Sequence, residues 1–297
     1  MAPTPLTIQT AAAAIEARDR LKPHLLSIPL VPSRNDPNLL FKSENFQKTS
    51  SLKIRGAMNR MLLSSPETKL ITASSRNHGI GASCAAKTLK AETDGRASGD
   101  SEKYAQALAA DPTGGYTYVS PFNDPDIVAG QGTIVLEILE RSDRVDNTFI
   151  AMGGGGLISG IGAVIYGVAA TNSKALAESI AADKVVDVEH RATLADAVAG
   201  GIDDDTITLP LAMDVVDEVV ERREEEIKDA LRRLAWEGNM IVEGSAALAL
   251  AGFRKVAPSL EGQCQCQISD VNPEEDSREW DAVLGVSEGD VGANGLF

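Results

Sequence analysis

The sequence predicts an α/β protein built on a doubly wound parallel sheet, and three observations carry that prediction. Apolar runs of strand length alternate with stretches whose apolar residues recur every three to four positions, most regularly after Asp126. Four consecutive glycines, Gly153 to Gly156, follow the apolar run Phe149 to Met152 and precede another apolar stretch, as in a strand-to-helix turn. The 297 residues, 43% of them apolar, are enough for one large domain or two modest ones.

In chain order, Thr7 to Leu21 reads as an amphipathic helix with Ile8, Ala12, Ile15 and Ala17 inside, closed by Pro23. Ile28 to Ser33 is extended and bounded by prolines, and Leu39 to Lys42 is a short strand. A helix at Lys53 follows, with Ile54, Ala57, Met58, Met61 and Leu62 on one face and Ser51 as its N-cap. Leu70 to Ala73 is a buried-type strand, and the next helix carries Ile80, Cys84 and Leu89. Ala91 to Asp100 is polar, turn-rich and without period, hence a loop. A helix at Glu102 to Ala110 and a strand at Tyr116 to Val119 come next. From Asp126 a helix runs through Ile134, Ile138 and Leu139, then the Phe149 strand, then a helix from Ile158. Ile227, Leu231 and Leu234 mark another helix, and Ser245 to Val256 an Ala/Leu-rich buried one stopped by Pro258. Topology requires a core strand within Glu261 to Asp270, and the acidic, glycine-rich remainder is expected to fray.

Totals narrow the partners. With 28 basic against 43 acidic residues, the net charge of −15 argues against nucleic acid or anionic membrane. No stretch approaches transmembrane length. Cys84, Cys264 and Cys266 are an odd set without disulfide-framework spacing, and Glu16 and Asp19 interrupt any targeting pattern at the N-terminus, so a cytoplasmic protein is expected.

Four places are candidates for chemistry. Lys53 stands in the first turn of its helix, where the positive end of the dipole disfavours the ammonium form and makes an amine available to attack a carbonyl. The glycine run exceeds what an ordinary turn requires and offers converging backbone N–H groups, which a phosphate needs. A dinucleotide fingerprint fails there on spacing, because Ile158 or Leu157 falls where a glycine is required. Ser74, Ser75, Arg76, Asn77, His78 and Gly79 follow a strand, where loop residues of an α/β sheet meet a ligand. Cys264 reads as a core thiol or, with Cys266 and a histidine, as part of a metal site, for which a lone Cys-x-Cys is weak support.

The segment Phe41 to Ala57, centred on Ser50-Ser51-Leu52-Lys53, resembles the lysine segment of the serine/threonine dehydratase and serine racemase family, fold type II of the pyridoxal phosphate enzymes. Ser50 stands in place of that family's glycine and Leu52 in place of its phenylalanine. Ser74 to Gly79 resembles the family's Ser-Ser-Gly-Asn-His-Gly loop, with Arg76 at the glycine, and Gly153 to Gly156 resembles its tetraglycine loop. Gly130 to Thr133, Thr193 to Ala197 and Glu243 to Ser245 resemble further segments, the last of them beside the cofactor. The resemblance runs from Pro5 to Ser269, with a large gap after Lys90 and a smaller one after Ala163.

The resemblance implies the two-domain, tryptophan synthase beta-like fold, with residues 1–66 and 121–297 as the large domain and a shortened small domain at 67–120. It implies pyridoxal 5'-phosphate on Lys53, its phosphate on Gly153, Gly154, Gly155 and Gly156, its ring oxygen at Asn77 and its ring nitrogen at Cys264. The substrate would lie against Ser74, Ser75, Asn77 and His78, with Ser75 supplying the second acid that racemisation needs. Arg76 either crowds the substrate carboxylate or adds a charge that binds it; crowding, with poor turnover, is the expectation. No metal is expected, since Val168 to Ser173 lacks the acidic ligand that starts the racemase site. The implied activity is dehydration and deamination of a small β-hydroxy amino acid such as L-serine or L-threonine, by a homodimer. A racemase on the same scaffold and an impaired, cofactor-binding relic are the alternatives.

Overall fold

Two largely parallel sheets organise the chain, of which the computed structural model describes residues 2–74, 76–90, 93–94, 101–158, 164–260 and 262–269. The elements are α1 (Pro5–Leu21), β1 (Leu30–Pro32), β2 (Leu39–Ser43), α2 (Lys53–Leu62), β3 (Lys69–Ile71), α3 (Asn77–Leu89), β4 (Thr93–Asp94), α4 (Ser101–Ala110), β5 (Tyr116–Tyr118), α5 (Pro125–Leu139), β6 (Asn147–Ala151), β7 (Val164–Ala170), α6 (Ala175–Ala182), α7 (Thr208–Val215), β8 (Glu218–Arg222), α8 (Glu224–Trp236), α9 (Gly244–Val256) and β9 (Gln265–Ser269).

The larger sheet has the order β1-β2-β9-β6-β7-β8 and is parallel except for β1 at its edge. Its centre is closed by β9, whose Gln267 lies opposite Phe41 on one side and Phe149 on the other. The smaller sheet, β4-β3-β5, is wholly parallel. Helices cover both faces of the larger sheet, as the alternating pattern predicts. On one face Ile227, Leu231 and Leu248 of α8 and α9 bury Phe149, Tyr166 and Val168. Phe149 stacks on Tyr166 with centroids 4.7 Å apart and meets Phe253 edge-on. On the other face Ile134, Ile138, Leu176 and Leu209 pack on Ile150, Ile165 and Ala169.

A third core joins α1, α2, α3 and α5 around Met58, Met61, Ala85 and Ile127. Here backbones approach closely. A Cβ on Gly130 would lie 2.6 Å from the carbonyl oxygen of Arg55, so the glycines of α5 let it cross α2 almost in contact. Under that crossing lies a cluster of buried charges. Arg55 donates from Nε to Glu44 at 2.8 Å and from Nη1 to Glu137 at 2.9 Å, and Lys42 reaches Glu137 and, at 2.6 Å, the carbonyl of Ile28. Burial opposes the charges of Lys42, Arg55 and Glu137 and prevails at Lys42, whose pKa falls. Glu44 and Glu137 nevertheless hold Arg55 above its ordinary value, and Arg55 and Lys42 hold Glu137 below the usual carboxylate range.

Several sequence expectations change. Ile8, Ala12 and Ile15 are exposed on α1, which buries the expected Ala17 together with Ala14 and Leu21, because a small-residue face fits against Gly132 of α5. Beyond Ile158 the expected helix lies outside the described residues, and from Val164 the chain forms β7, a largely apolar run suited to a strand covered on both faces. Within the loop expected at Ala91 to Asp100, Thr93 and Asp94 add a strand to β3. Residue Leu52, not Ser51, occupies the N-cap position of α2, although Ser51 Oγ accepts from the Lys53 N–H at 3.2 Å. The expected core strand near the end of the family resemblance is β9; the tail expected to fray lies outside the described residues.

Candidate active site

Lys53, the loop before α3, and the turn after β6 line one cleft of about 230 Å³ at the carboxyl ends of the strands. Lys53 opens α2 and donates from Nζ to the carbonyl of Pro121 at 3.2 Å. Three residues earlier, Ser50 has φ +56°, the left-handed region where an L side chain is strained, which is why glycine is the residue that suits this place. The strain is tolerated to deliver Lys53 at the cleft wall.

Gly153 to Gly156 form the opposite wall, and the packing requires glycine. A Cβ on Gly154 would lie 2.4 Å from the Phe122 ring, and one on Gly153 3.0 Å from Val198 Cα. Gly155 has φ +86°, and Thr208 Oγ1 donates to the Gly154 carbonyl at 2.6 Å, fixing the turn. The loop's own backbone N–H groups are what a phosphate would meet.

Between the walls stand buried polar groups. Asn77 donates from Nδ2 to Glu243 at 2.9 Å, joining the start of α3 to the start of α9, while its Oδ1 has no partner. Ser245 Oγ and both carboxamide atoms of Gln131 are likewise buried without partners. His78 Nε2 lies 3.1 Å from Thr72 Oγ1. Burial, with Lys53 adding to it, lowers the His78 pKa to about 3, so the ring is neutral. On the rim, Arg76 pairs through Nη1 with Asp196.

Sequence-predicted Lys53, Ser74, Asn77, His78 and all four glycines therefore line the same cleft. Ser75 lies outside the described residues. Cys264 does not line the cleft. It sits before β9 at the other end of the sheet, where its N–H donates to Asp146 Oδ2 at 2.8 Å. The strand puts Ile268, followed by Ser269, at the cleft end, roughly 16 Å further along an extended chain. The expectation that Cys264 meets the ring nitrogen is therefore not met, because β9 runs from Cys264 toward the cleft and not away from it. Sequence reading touched Gln131 and Asp196 only as members of segments that resemble the family's, without giving either a role, and missed Phe122 and Val198, which long-range folding alone brings here.

The lining suits pyridoxal phosphate: an amine for its aldehyde, a glycine turn with no room for a Cβ, and unpartnered buried polar atoms for its ring substituents. Among the described residues no group of three or more His, Cys, Asp or Glu is placed to hold a metal, and no helix is long and apolar enough to cross a membrane.

Comparison with known proteins points the same way. Residues 91–269 match the family described as pyridoxal-phosphate dependent enzyme. L-threonine ammonia-lyase of Geobacter sulfurreducens is 35% identical, across 86% of this chain and 74% of its own. A threonine deaminase from T.th. superimposes with TM-score 0.80 at 25% identity, covering 89% of this chain and 98% of that one. Maize serine racemase does so with TM-score 0.80 at 25% identity, covering 93% and 97%.

Proposed function

Because the chain belongs to the family of pyridoxal-phosphate dependent enzymes, we propose that it converts a small β-hydroxy amino acid, such as L-threonine or L-serine, to the 2-keto acid and ammonia. The observation that carries this reading is the convergence, in one cleft, of Lys53 with the glycine turn and with the unpartnered polar atoms Asn77 Oδ1, Ser245 Oγ and the Gln131 carboxamide. Lys53 would hold the cofactor by its aldehyde and the glycine turn its phosphate. Asn77, fixed by Glu243, presents a polar atom to the ring. When bound, the cofactor withdraws electrons from the substrate α-carbon.

The chain's own groups then move protons. Once the substrate's own amine has exchanged for it at the aldehyde carbon, the freed Lys53 amine, in a site where His78 stays neutral and does not compete as an acid, would accept the α-proton. Its ammonium form gives a proton to the departing β-hydroxyl, which leaves as water. The enamine so formed takes up water, yielding the keto acid and ammonia. Phe122 and Val198 pack against the glycine turn and add apolar surface to the cleft.

Residues 67–120, which supply all three strands of the smaller sheet, would serve as the small domain over the cleft. Three unpaired cysteines favour a cytoplasmic enzyme, and the homodimer is carried over from the family resemblance. Sedimentation tests the dimer. The decisive experiment adds pyridoxal 5'-phosphate to the purified protein. A visible absorption band is expected that Lys53→Ala lacks, together with keto acid from L-threonine and L-serine. No band overturns the proposal; a band without any keto acid favours the relic. Faster D-serine than pyruvate formation from L-serine, abolished in Ser75→Ala, makes it a racemase.

A further inference from the structure

Among the described residues lining the cleft, three side chains are basic: Lys53, Arg76 and His78. Burial keeps His78 neutral, and on the proposed function, on which this inference rests, Lys53 holds the cofactor. An amino-acid substrate brings a carboxylate into a partly desolvated cleft, where a charge without a counter-charge or oriented donors is costly. Arg76 is the remaining cation.

Its position is set from across the cleft. Asp196 belongs to the short helical turn at Asp196–Val198, on the wall that covers Gly153, while Arg76 caps α3 on the opposite side. The pair is partly exposed, 45% for the arginine and 34% for the aspartate side chain, so it sits where substrate enters. The contact uses Nη1. A guanidinium carries five N–H donors in a planar fork, and a second edge remains for another carboxylate. Among the described residues Nε and Nη2 have no side-chain partner.

We infer that Arg76 is the specificity-determining residue that binds the substrate carboxylate, and that Asp196 is a positioning residue that holds the guanidinium at the cleft mouth. Arg76 is therefore a ligand for the substrate and no obstruction to it. The substrate must be a free acid, since an amide or ester lacks the charge that the fork recognises.

The test titrates the holoenzyme with L-threonine and with L-threoninamide and follows the shift of the visible cofactor band, in wild type, Arg76→Gln, Asp196→Asn and the double variant. All four should retain the band. Half-saturation by L-threonine should rise about ten- to a hundredfold in Arg76→Gln, the loss expected for a hydrogen bond between charged groups. The preference for acid over amide should collapse with it. Asp196→Asn should raise half-saturation severalfold, with no further effect on the Arg76→Gln background. Unchanged or tighter L-threonine binding in Arg76→Gln, with the band intact, overturns the inference and leaves the cofactor reading standing. An Asp196→Asn effect undiminished on the Arg76→Gln background overturns the positioning role. A wild-type protein with no band overturns the function on which both rest.

Discussion

Arg55 and Lys53 are neighbours on α2, yet the buried polar surroundings they meet differ in kind. Around Arg55, every charge is answered: Glu44, Glu137, Lys42 and Thr133 close a network through contacts no longer than 3.2 Å. Around Lys53, Asn77 Oδ1, His78 Nδ1, Ser245 Oγ and the Gln131 carboxamide are buried and unanswered. A closed network belongs to the fold, because removing any member strands the others. An open one is a cost that the fold bears for a ligand, because an unsatisfied buried polar atom stabilises nothing by itself.

The contrast is broken most directly by Glu137→Gln. It leaves Arg55 and Lys42 short of a counter-charge and should cost about 3–5 kcal/mol in urea denaturation. A loss below about 1 kcal/mol would mean the network is no more structural than a surface pair. Acid should act in the same direction. The Glu137 pKa is depressed in the fold, so its stabilisation is full above its ordinary value of 4.5 and is lost as pH falls through the lower folded value.

His78 sharpens the other side. Its folded pKa of about 3 lies below the ordinary 6.5, so below pH 6.5 the unfolded chain takes a proton that the native chain refuses. Stability should fall with pH between those values by up to about 1.4 kcal/mol per unit from this group. His78→Gln should flatten that slope, and an unaltered slope would show that the imidazole is charged in the fold.

Gln131→Met removes an unanswered carboxamide at nearly constant volume. The cofactor-free protein should be unchanged or gain up to about 2 kcal/mol, while retention of pyridoxal phosphate on dialysis weakens. Destabilisation instead would place Gln131 with the closed network. The smallest effect is expected from Ser50→Gly, which relieves a left-handed serine and should add about 0.5–1 kcal/mol, read from the denaturation midpoint.

The sequence by itself determined what depends on local order. Strand and helix alternate with different periods, a glycine run announces backbone exposure, and Lys53 and Asn77 sit at fixed distances from apolar segments that place them at element starts. Tertiary structure decided whatever depends on distant partners. Apolar spacing put Ile8 and Ile15 inside α1 along with Ala17, but close approach to Gly132 selected Ala14 in their place, since a hydrophobic period does not register how near two backbones come. β9 sent Cys264 to one end of the sheet and Ser269 to the other because strand direction is set by its parallel pairing with β2 and β6. Arg76 and Asp196 are far apart in the chain, and only the closing of two walls around one cleft makes them an ion pair, which is the long-range contact that a sequence's local spacing does not encode.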